Sequence, residues 1–307
     1  MRPRVLIAEA QGFSEAALAV LQGVAEVTLG DLDRSGLLRA VPEAEALWVR
    51  LRHRVDGEVL AAGARLRVVV TATTGLNHID LEEAGRRRIR VLSLCGETDF
   101  LREVRATAEH TVGLLLALLR QTPAAVEHVR EGGWNRDLFR GREVAGKTVG
   151  IVGYGRLGRM VGEYLRAMGA TVVAADHPGV EGTLSLEELL RVADVVSLHA
   201  SLTAETRGFF GRSEFAAMKP GAWFLNTARG ELVDEAALLE ALESGRLAGA
   251  ALDVLAGEDA GGMGHHPLVR HARKHRNLLV TPHLGGCTTE SMEKTERFLA
   301  EKLVALL

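Results

Sequence analysis

Three segments in the second half of the sequence carry side chains that could exchange a proton beside an organic acid. Arg229 follows the apolar run AWFLN, Glu258 follows AGAALDVLAG, and His283 lies in TPHLGG after NLLV. Parallel strands end at one edge of a sheet, so these side chains are expected at a shared crevice. Histidine can exchange a proton near neutral pH, and arginine can grip a carboxylate. Each residue alone also fits an ordinary surface or capping role. Their expected location at one shared edge is what favours a catalytic role.

A second motif predicts a dinucleotide site. GYGRLG spans Gly153 to Gly158, after the strand-like run TVGIV and before a helical pattern. Gly153 would allow the tight turn, Gly155 the approach of a pyrophosphate, and Gly158 close packing of helix on strand. Asp176 ends the next strand, TVVAA, where its carboxylate could accept hydrogen bonds from ribose hydroxyls and repel a 2′-phosphate. NAD is therefore favoured over NADP; the alternative for Asp176 is a simple turn cap.

These motifs lie in two series of strands separated by helices. The first series is RVLIAEA, EALWV, LRVVVTA and RVLSL, followed by a predicted helix over Leu101–Arg120. The second is TVGIV, TVVAA, DVVSLH, AWFLN, AGAALD and NLLVT, followed by a last helix over 288–307. One helix cannot bury its own apolar face, so the last one is expected to pack back onto the first domain.

The fold class that follows is α/β with two doubly wound domains. Residues 99–286 form the predicted Rossmann NAD-binding domain. Residues 1–98 and 287–307 form the predicted discontinuous, flavodoxin-like substrate domain.

Composition excludes several classes of function. The chain has 307 residues, a net charge of −3 and two cysteines, Cys95 and Cys287. These values predict a cytoplasmic globular protein without disulfides and without nucleic acid or membrane as a partner. His271 and His275 have a spacing that can bind a metal on a helix, but no acidic ligands accompany them, so no metal is expected.

The sequence resembles the D-isomer-specific 2-hydroxyacid dehydrogenases, on the phosphoglycerate-dehydrogenase-like side of that family. The resemblance rests on GKTVGIVGYGRLG, ADVVSLHASLTAETRG, MKPGAWFLNTARGELVDEAALLEAL, ALDVLAGE and TPHLGG. It implies that Arg229 holds the carboxylate and carbonyl of the substrate. It further implies that His283 exchanges the proton and that Glu258 supports His283. A homodimer through the NAD-binding domain is also implied.

The resemblance implies further contacts with the cofactor and the substrate. Asp253 is expected to contact the nicotinamide carboxamide. Arg52 and the backbone near Gly75, in TTGLN, are expected to contact the substrate. The complete set implied for the cofactor is Gly153, Gly155, Arg156, Leu157, Gly158, Asp176, Ala228, Asp253 and Gly286.

Departures from the family pattern affect the pocket. The segment CGETDFLREVRATAEH is longer than its counterparts and carries Arg102 and Arg105, which either are solvated or grip an anion. With Arg52 on the loop WVRLRHRV, they suit a phosphorylated or doubly anionic substrate. Asp259 stands where the family usually has proline, which leaves the position of Glu258 open.

The expected function is an NAD-dependent oxidoreductase that interconverts a D-2-hydroxy acid and its 2-keto acid. One alternative, within the same family, is a glyoxylate or hydroxypyruvate reductase. Another is a non-catalytic, NADH-sensing protein like the family's corepressors. Turnover of 2-keto acids with NADH separates these readings.

Overall fold

The protein is described by a computed structural model that covers residues 2–177, 179–258 and 262–307. The chain forms two compact units. Unit 1 is Met1–Val104 with Cys287–Leu307, and unit 2 is Arg105–Gly286. The division after Val104 falls later than the predicted boundary at 98/99. The reason is that Leu101 is buried in a cluster with Leu299 of the last helix.

Strands and helices alternate along most of the chain. The strands are β1 Arg4–Ile7, β2 Glu26–Leu29, β3 Ala46–Val49, β4 Val68–Thr71, β5 Arg90–Ser93, β6 Thr148–Val152, β7 Thr171–Ala175, β8 Val195–Leu198, β9 Ala222–Asn226, β10 Leu247–Leu252 and β11 Leu278–Val280. The helices are α1 Glu15–Val24, α2 Arg34–Ala40, α3 Gly57–Ala62, α4 Leu81–Arg86, α5 Thr98–Leu101, α6 Ala106–Leu119, α7 Thr122–Arg130, α8 Arg156–Ala167, α9 Leu186–Val192, α10 Arg212–Ala217, α11 Glu235–Glu243, α12 Pro267–Ala272 and α13 Thr289–Val304.

Side-chain caps in the sequence fix where several helices begin. The Ser14 side chain accepts a hydrogen bond from the Ala17 N–H and starts α1. Ser185 and Glu188 form the predicted capping box at α9, and Asp234 caps α11. Each cap satisfies N–H groups that have no partner within the helix. From the sequence alone, Ser14, the SLEE capping box at 185–188 and Asp234 are predicted to begin helices, and the structure confirms these three starts.

Unit 1 has a five-stranded parallel sheet in the order β2-β1-β3-β4-β5. This is the strand order of flavodoxin-like domains, the class of domain that the sequence predicted here. Helix α13 packs against α1, and the carboxylate of Glu296 on α13 accepts hydrogen bonds from the Ser14 N–H and the Arg50 side chain. The return of the last helix to the N-terminal part of the chain is confirmed.

Unit 2 has a six-stranded parallel sheet in the order β11-β10-β9-β8-β6-β7. An isolated parallel bridge joins Ala175 to Leu184 beyond β7, at the place of the third strand of the Rossmann order. Neighbouring residues of β9 serve the two faces: Phe224 packs in the cluster that includes α11, and Leu225 packs in the cluster that includes α6. Helices on both faces make this a doubly wound sheet, as predicted.

The structure departs from the sequence prediction in several elements. The helix predicted over Leu101–Arg120 is two helices, α5 and α6, because residues around Leu101 pack with unit 1. Strand β2 and helices α2 and α7 were not predicted. Strand β2 is a short edge strand with no buried residue, so its sequence lacks the apolar run of an inner strand. No helix in the described part of the chain is both long and apolar enough to span a bilayer.

A histidine at the end of β8 makes the stability of unit 2 depend on pH. Nε2 of His199 lies 2.8 Å from Oγ of Ser197. Its Nδ1 is buried and finds no partner among the described residues. Burial lowers the pKa of His199 from 6.5 to about 4. The unfolded chain therefore binds the extra proton first, and stability that is present above pH 6.5 is lost as the pH falls towards 4.

Replacing His199 should flatten this dependence. In His199→Gln, an amide can still bond to Ser197 but does not titrate. The loss of unfolding free energy between about pH 7 and pH 5 should shrink by about 2 kcal/mol. Urea unfolding at both pH values, followed by tryptophan fluorescence, measures it. The exposed His275→Gln is the control, and equal pH dependence in all three proteins would contradict the expectation.

Candidate active site

The carboxyl ends of β9, β10 and β11 lie side by side. Asn226, Leu252 and Val280 pair in register across the three strands. Arg229, Asp253 and His283 follow within a few residues of these ends. The sheet therefore brings the predicted chemical groups of unit 2 to one edge, where α/β proteins bind ligands.

His283 and Glu258 form a close pair at this edge. Nδ1 of His283 lies 2.5 Å from Oε1 of Glu258, and the two side chains are 25% and 26% exposed. The other carboxylate oxygen, Oε2, accepts a hydrogen bond from the Leu255 N–H. An ionised carboxylate only accepts, so Nδ1 of His283 carries the proton in this pair. Nε2 is left to exchange a proton with a ligand.

The backbone of His283 is held in the left-handed region, at φ 54°. Residues with a side chain seldom adopt it, and such conformations persist where surrounding contacts impose them. Asp253 supplies those contacts. Its C=O accepts from the His283 N–H at 2.9 Å, and its carboxylate accepts from the Leu284 and Gly285 N–H groups, both at 2.8 Å. The Thr281 hydroxyl also donates to this carboxylate, at 2.6 Å.

The turn that carries Arg229 is fixed by a buried asparagine. The Asn226 amide donates to the Arg229 C=O at 2.8 Å and accepts from the Ala228 N–H at 3.0 Å. The Arg229 guanidinium donates to the Ala228 C=O. No carboxylate in the described part of the chain pairs with it. Its charge is therefore available to an anionic ligand.

Gly230 joins the Arg229 turn to the loop before Glu258. A Cβ at Gly230 would lie 2.1 Å from the Ala256 backbone nitrogen, so only glycine permits this approach. The Ala256 N–H is held in turn by the Glu235 carboxylate at 2.9 Å. Burial raises the pKa of Glu235. These contacts fix the start of a loop for which the sequence left the geometry open; Asp259 itself lies outside the described residues.

The glycine-rich turn has the shape that a pyrophosphate requires. Gly153 has φ 92°, and a Cβ there would lie 2.5 Å from the Ala200 backbone nitrogen. A Cβ at Gly158 would lie 2.2 Å from the Gly153 C=O oxygen. A Cβ at Gly155 would meet no atom within 4 Å, and Gly155 is the N-cap of α8. The helix start is thus open space at the positive end of the helix dipole, which fits a dinucleotide phosphate.

The other predicted cofactor residues lie at the glycine-rich turn or at the edge after β9–β11. The Asp176 carboxylate accepts from the Tyr154 and His177 N–H groups at 2.6 and 2.7 Å, so it also fixes the glycine-rich turn. Arg156 opens α8, and burial lowers the pKa of its guanidinium. Half-buried Leu157 follows it; Ala228 lies in the Arg229 turn, and exposed Gly286 ends unit 2.

Arg52 and Gly75 lie in unit 1, after β3 and β4. The Arg52 guanidinium donates to Asp31 at 2.9 Å and is 50% exposed. The Gly75 C=O accepts from the Thr73 hydroxyl at 2.7 Å. Their assignment to the substrate stays a prediction.

The two arginines of the longer segment lie in different units. Arg102 belongs to unit 1 and lies 3.4 Å from the Asp99 carboxylate. Arg105 begins unit 2 and donates to the Tyr164 hydroxyl at 3.4 Å. A shared grip of both on one anion stays a prediction.

Sequence reasoning missed the polar side chains that support the edge. Nε2 of His110 on α6 lies 3.1 Å from Asp253 Oδ1 and 3.1 Å from the Thr281 hydroxyl. Thr111 meets Thr227 at 2.8 Å. The available signal was three polar residues, Thr107, His110 and Thr111, on one face of a helix that is otherwise apolar except for the exposed Glu109.

Comparison with known proteins gives consistent likenesses. A sequence profile for the NAD binding domain of D-isomer specific 2-hydroxyacid dehydrogenases matches residues 112–285. The D-3-phosphoglycerate dehydrogenase of Mycobacterium tuberculosis is 41% identical over 98% of this chain and 56% of that protein. The hydroxypyruvate reductase of Thermotoga maritima is 33% identical over 91% of this chain and 90% of that protein. A solved structure, D-lactate dehydrogenase from Aquifex aeolicus complexed with NAD and lactic acid, matches with a TM-score of 0.83 at 26% identity, over 99% of this chain and 95% of that one.

The chain spans about half the length of the D-3-phosphoglycerate dehydrogenases that it matches, 56% for the mycobacterial protein. The matched NAD binding domain lies within unit 2, which contains the glycine-rich turn. This match and the NAD-bound neighbour confirm NAD as the expected cofactor.

The open space at Gly155 can be tested with one methyl group. Gly155→Ala should leave the fold intact, because the added Cβ meets no atom within 4 Å. It should weaken NADH binding by about tenfold or more, since the methyl group occupies the place of the pyrophosphate. NADH fluorescence titration and thermal unfolding measure the two effects. Gly113→Ala, also in open space but on α6, is the matched control; unchanged affinity in Gly155→Ala would place the cofactor elsewhere.

Proposed function

The chain belongs to the D-isomer specific 2-hydroxyacid dehydrogenase family, and from this premise we propose that it interconverts a D-2-hydroxy acid and its 2-oxo acid with NAD. One observation carries the proposal. The His283–Glu258 pair, joined at 2.5 Å, lies at the sheet edge that also holds Arg229. A proton-exchanging group and a cation that pairs with no carboxylate among the described residues suit an acid whose reacting carbon lies beside its carboxylate.

The chain's own residues account for binding and for the proton. Arg229 holds the substrate carboxylate and the carbonyl oxygen, which stabilises the negative charge that grows there during reduction. His283, protonated on both ring nitrogens, donates the Nε2 proton to that oxygen. Glu258 accepts the Nδ1 hydrogen bond throughout and so stabilises the imidazolium. In the oxidation of a hydroxy acid, neutral Nε2 takes the hydroxyl proton instead.

The residues of unit 2 fit the cofactor that this chemistry needs. When bound, NADH supplies the hydride and its electron pair to the carbonyl carbon. The open start of α8 at Gly155 would hold the pyrophosphate, and Asp176 would bind the ribose hydroxyls. Asp253 keeps a lone pair on Oδ2 beyond the Gly285 N–H, which suits the proposed contact with a carboxamide.

We further propose a phosphorylated or doubly anionic acid as the substrate. The mycobacterial relative at 41% identity is named a D-3-phosphoglycerate dehydrogenase. The loop after β3 offers two exposed guanidinium groups, Arg52 and Arg54. The runner-up is a small acid without phosphate, as the name of the hydroxypyruvate reductase relative suggests. The two exposed thiols, Cys95 and Cys287, support a reducing, cytoplasmic location.

Turnover with a panel of 2-oxo acids tests the proposal. Loss of NADH absorbance should be fastest with phosphohydroxypyruvate, and a preference for glyoxylate or hydroxypyruvate would contradict the phosphorylated substrate.

His283→Ala should lower kcat by at least about a hundredfold, because no group replaces the proton donor. NADH affinity should stay within about twofold, since the side chain does not hold the cofactor. NADH binding without turnover on any acid would favour the corepressor-like reading.

We also propose that the protein is a homodimer paired through unit 2. Helix α7 has no buried residue in the isolated chain. Large apolar side chains on and around it are exposed: Leu116, Val126, Val129, Trp134 and Leu138, with Trp134 at 90%. A second copy of the same face would cover this patch, as isologous dimers do.

A charge in this patch should dissociate the dimer. Val126→Asp should give a monomer of 33.0 kDa in light scattering, whereas the parent protein should have twice that mass. The matched control is Val192→Asp, because Val192 is 42% exposed and Val126 is 43% exposed, both in unit 2. The control should remain a dimer. A monomeric parent protein, or a dimeric Val126→Asp variant, would contradict the proposed interface.

A further inference from the structure

The first half of α6 carries three polar residues on one face. Thr107, His110 and Thr111 are spaced three and four residues apart, so they share a face of the helix. The rest of the helix packs apolar residues such as Leu115 and Leu118 into the core of unit 2. Each of the three polar residues meets a turn at the carboxyl ends of β9–β11. Such a face on a core helix has a structural cost unless every polar group finds a partner.

Thr111 reaches the Arg229 turn. Its hydroxyl donates to the Thr107 C=O at 2.7 Å and lies 2.8 Å from the Thr227 hydroxyl. The Thr111 proton is already committed, so the Thr227 hydroxyl must donate to Thr111. Both threonines are buried. Thr227 stands two residues before Arg229, and this contact ties the start of the turn to the helix.

His110 reaches the turn that presents His283. Its Nε2 lies 3.1 Å from Oδ1 of Asp253 and 3.1 Å from the Thr281 hydroxyl. The Thr281 hydroxyl donates to the same Oδ1, and a carboxylate accepts only. Nε2 of His110 must therefore carry a hydrogen and donate it to Asp253.

The two bonds from His110 and Thr281 orient the Asp253 carboxylate. The same carboxylate receives the Leu284 and Gly285 N–H groups, directly after the left-handed His283. Thr107 closes the arrangement: a Cβ at Gly285 would lie 3.1 Å from the Thr107 methyl group and 3.0 Å from Asp253 Oδ2. The helix thus packs directly on the turn.

From these contacts we infer that His110 is a positioning residue for the reaction. Its Nε2–H fixes the Asp253 carboxylate, and through it the turn that presents His283 to the substrate held by Arg229. We do not count it as a catalytic residue, because its Nε2 bonds to Asp253 and so acts through that carboxylate. The inference rests on the proposed function, since it names the residue that aligns that site.

Substitutions at His110 separate positioning from folding. Leucine fills the space but donates nothing. Glutamine can place an N–H near the position of Nε2, and asparagine is too short to do so. Glu109→Gln, on the exposed face of the same helix turn, is the matched control.

The expected result is a split between kcat and binding. His110→Leu should lower kcat by about a hundredfold, the effect of displacing a reacting group by about 1 Å. The KM for the 2-oxo acid should change by less than about threefold, because Arg229 is untouched. The NADH dissociation constant should also change by less than about threefold, because the glycine-rich turn is untouched and the proposed carboxamide contact of Asp253 is only one of the cofactor contacts. His110→Gln should recover kcat to within about fivefold of the parent, and Glu109→Gln should match the parent.

If His110→Leu does not fold, His110→Asn is compared with His110→Gln instead. Parent-like kcat in the leucine or asparagine variant would overturn the inference, as would an equal loss in the glutamine variant.

A second readout does not depend on turnover. In ¹⁵N-histidine NMR spectra, the His283 ring signals are identified by their loss in His283→Gln. They should shift or broaden in His110→Leu and keep their parent positions in His110→Gln, because only the leucine variant releases the turn. Unchanged His283 signals in His110→Leu would overturn the inference. If the parent turns over no 2-oxo acid, the proposed function fails, and the NMR comparison alone then decides the role of His110.

Discussion

The active edge of this protein depends on one buried carboxylate, that of Asp253. It accepts the hydroxyl of Thr281 and the N–H groups of Leu284 and Gly285. These bonds, with the one from the His283 N–H to the Asp253 C=O, hold His283 in a left-handed conformation that side chains disfavour. Asp253 directly follows β10 and His283 follows β11, so the pairing register of these two strands determines where the imidazole of His283 lies. The position of His283 is thus set by the rigid sheet and not by the loop that carries it.

Carboxylates beside other strands of both sheets accept backbone N–H groups in the same way. Asp176 at the end of β7 accepts the Tyr154 N–H of the glycine-rich turn. Glu9 after β1 accepts the Arg50 N–H of the loop after β3. Asp194 before β8 accepts the Thr148 N–H at the start of β6. In each case an acid beside one strand satisfies backbone N–H groups of a neighbouring segment, which fixes that segment without a covalent link.

Much of the fold could be predicted from the sequence, because the local backbone conformation restricts which residue types can occupy a position. The glycines of GYGRLG and the caps Ser14, Ser185 and Asp234 answer requirements within a few residues, and the structure confirms the caps. The contact of Thr111 with Thr227 spans 116 residues and follows no local rule. His110 was hidden for the same reason, since its partners come from β10 and β11. Strand β2 was missed because an edge strand without buried residues resembles a loop in its pattern.

The discontinuity of unit 1 has a consequence for the order of folding. The Ser14 N–H and its acceptor Glu296 are separated by 282 positions, and the core of unit 1 includes Leu299 and Leu303. As the chain leaves the ribosome, β1 and α1 emerge before α13, which completes their core. Unit 2 meets all of its own partners earlier, by Gly286. Strand β1 and helix α1 therefore gain their final contacts only after the whole of unit 2 has been made.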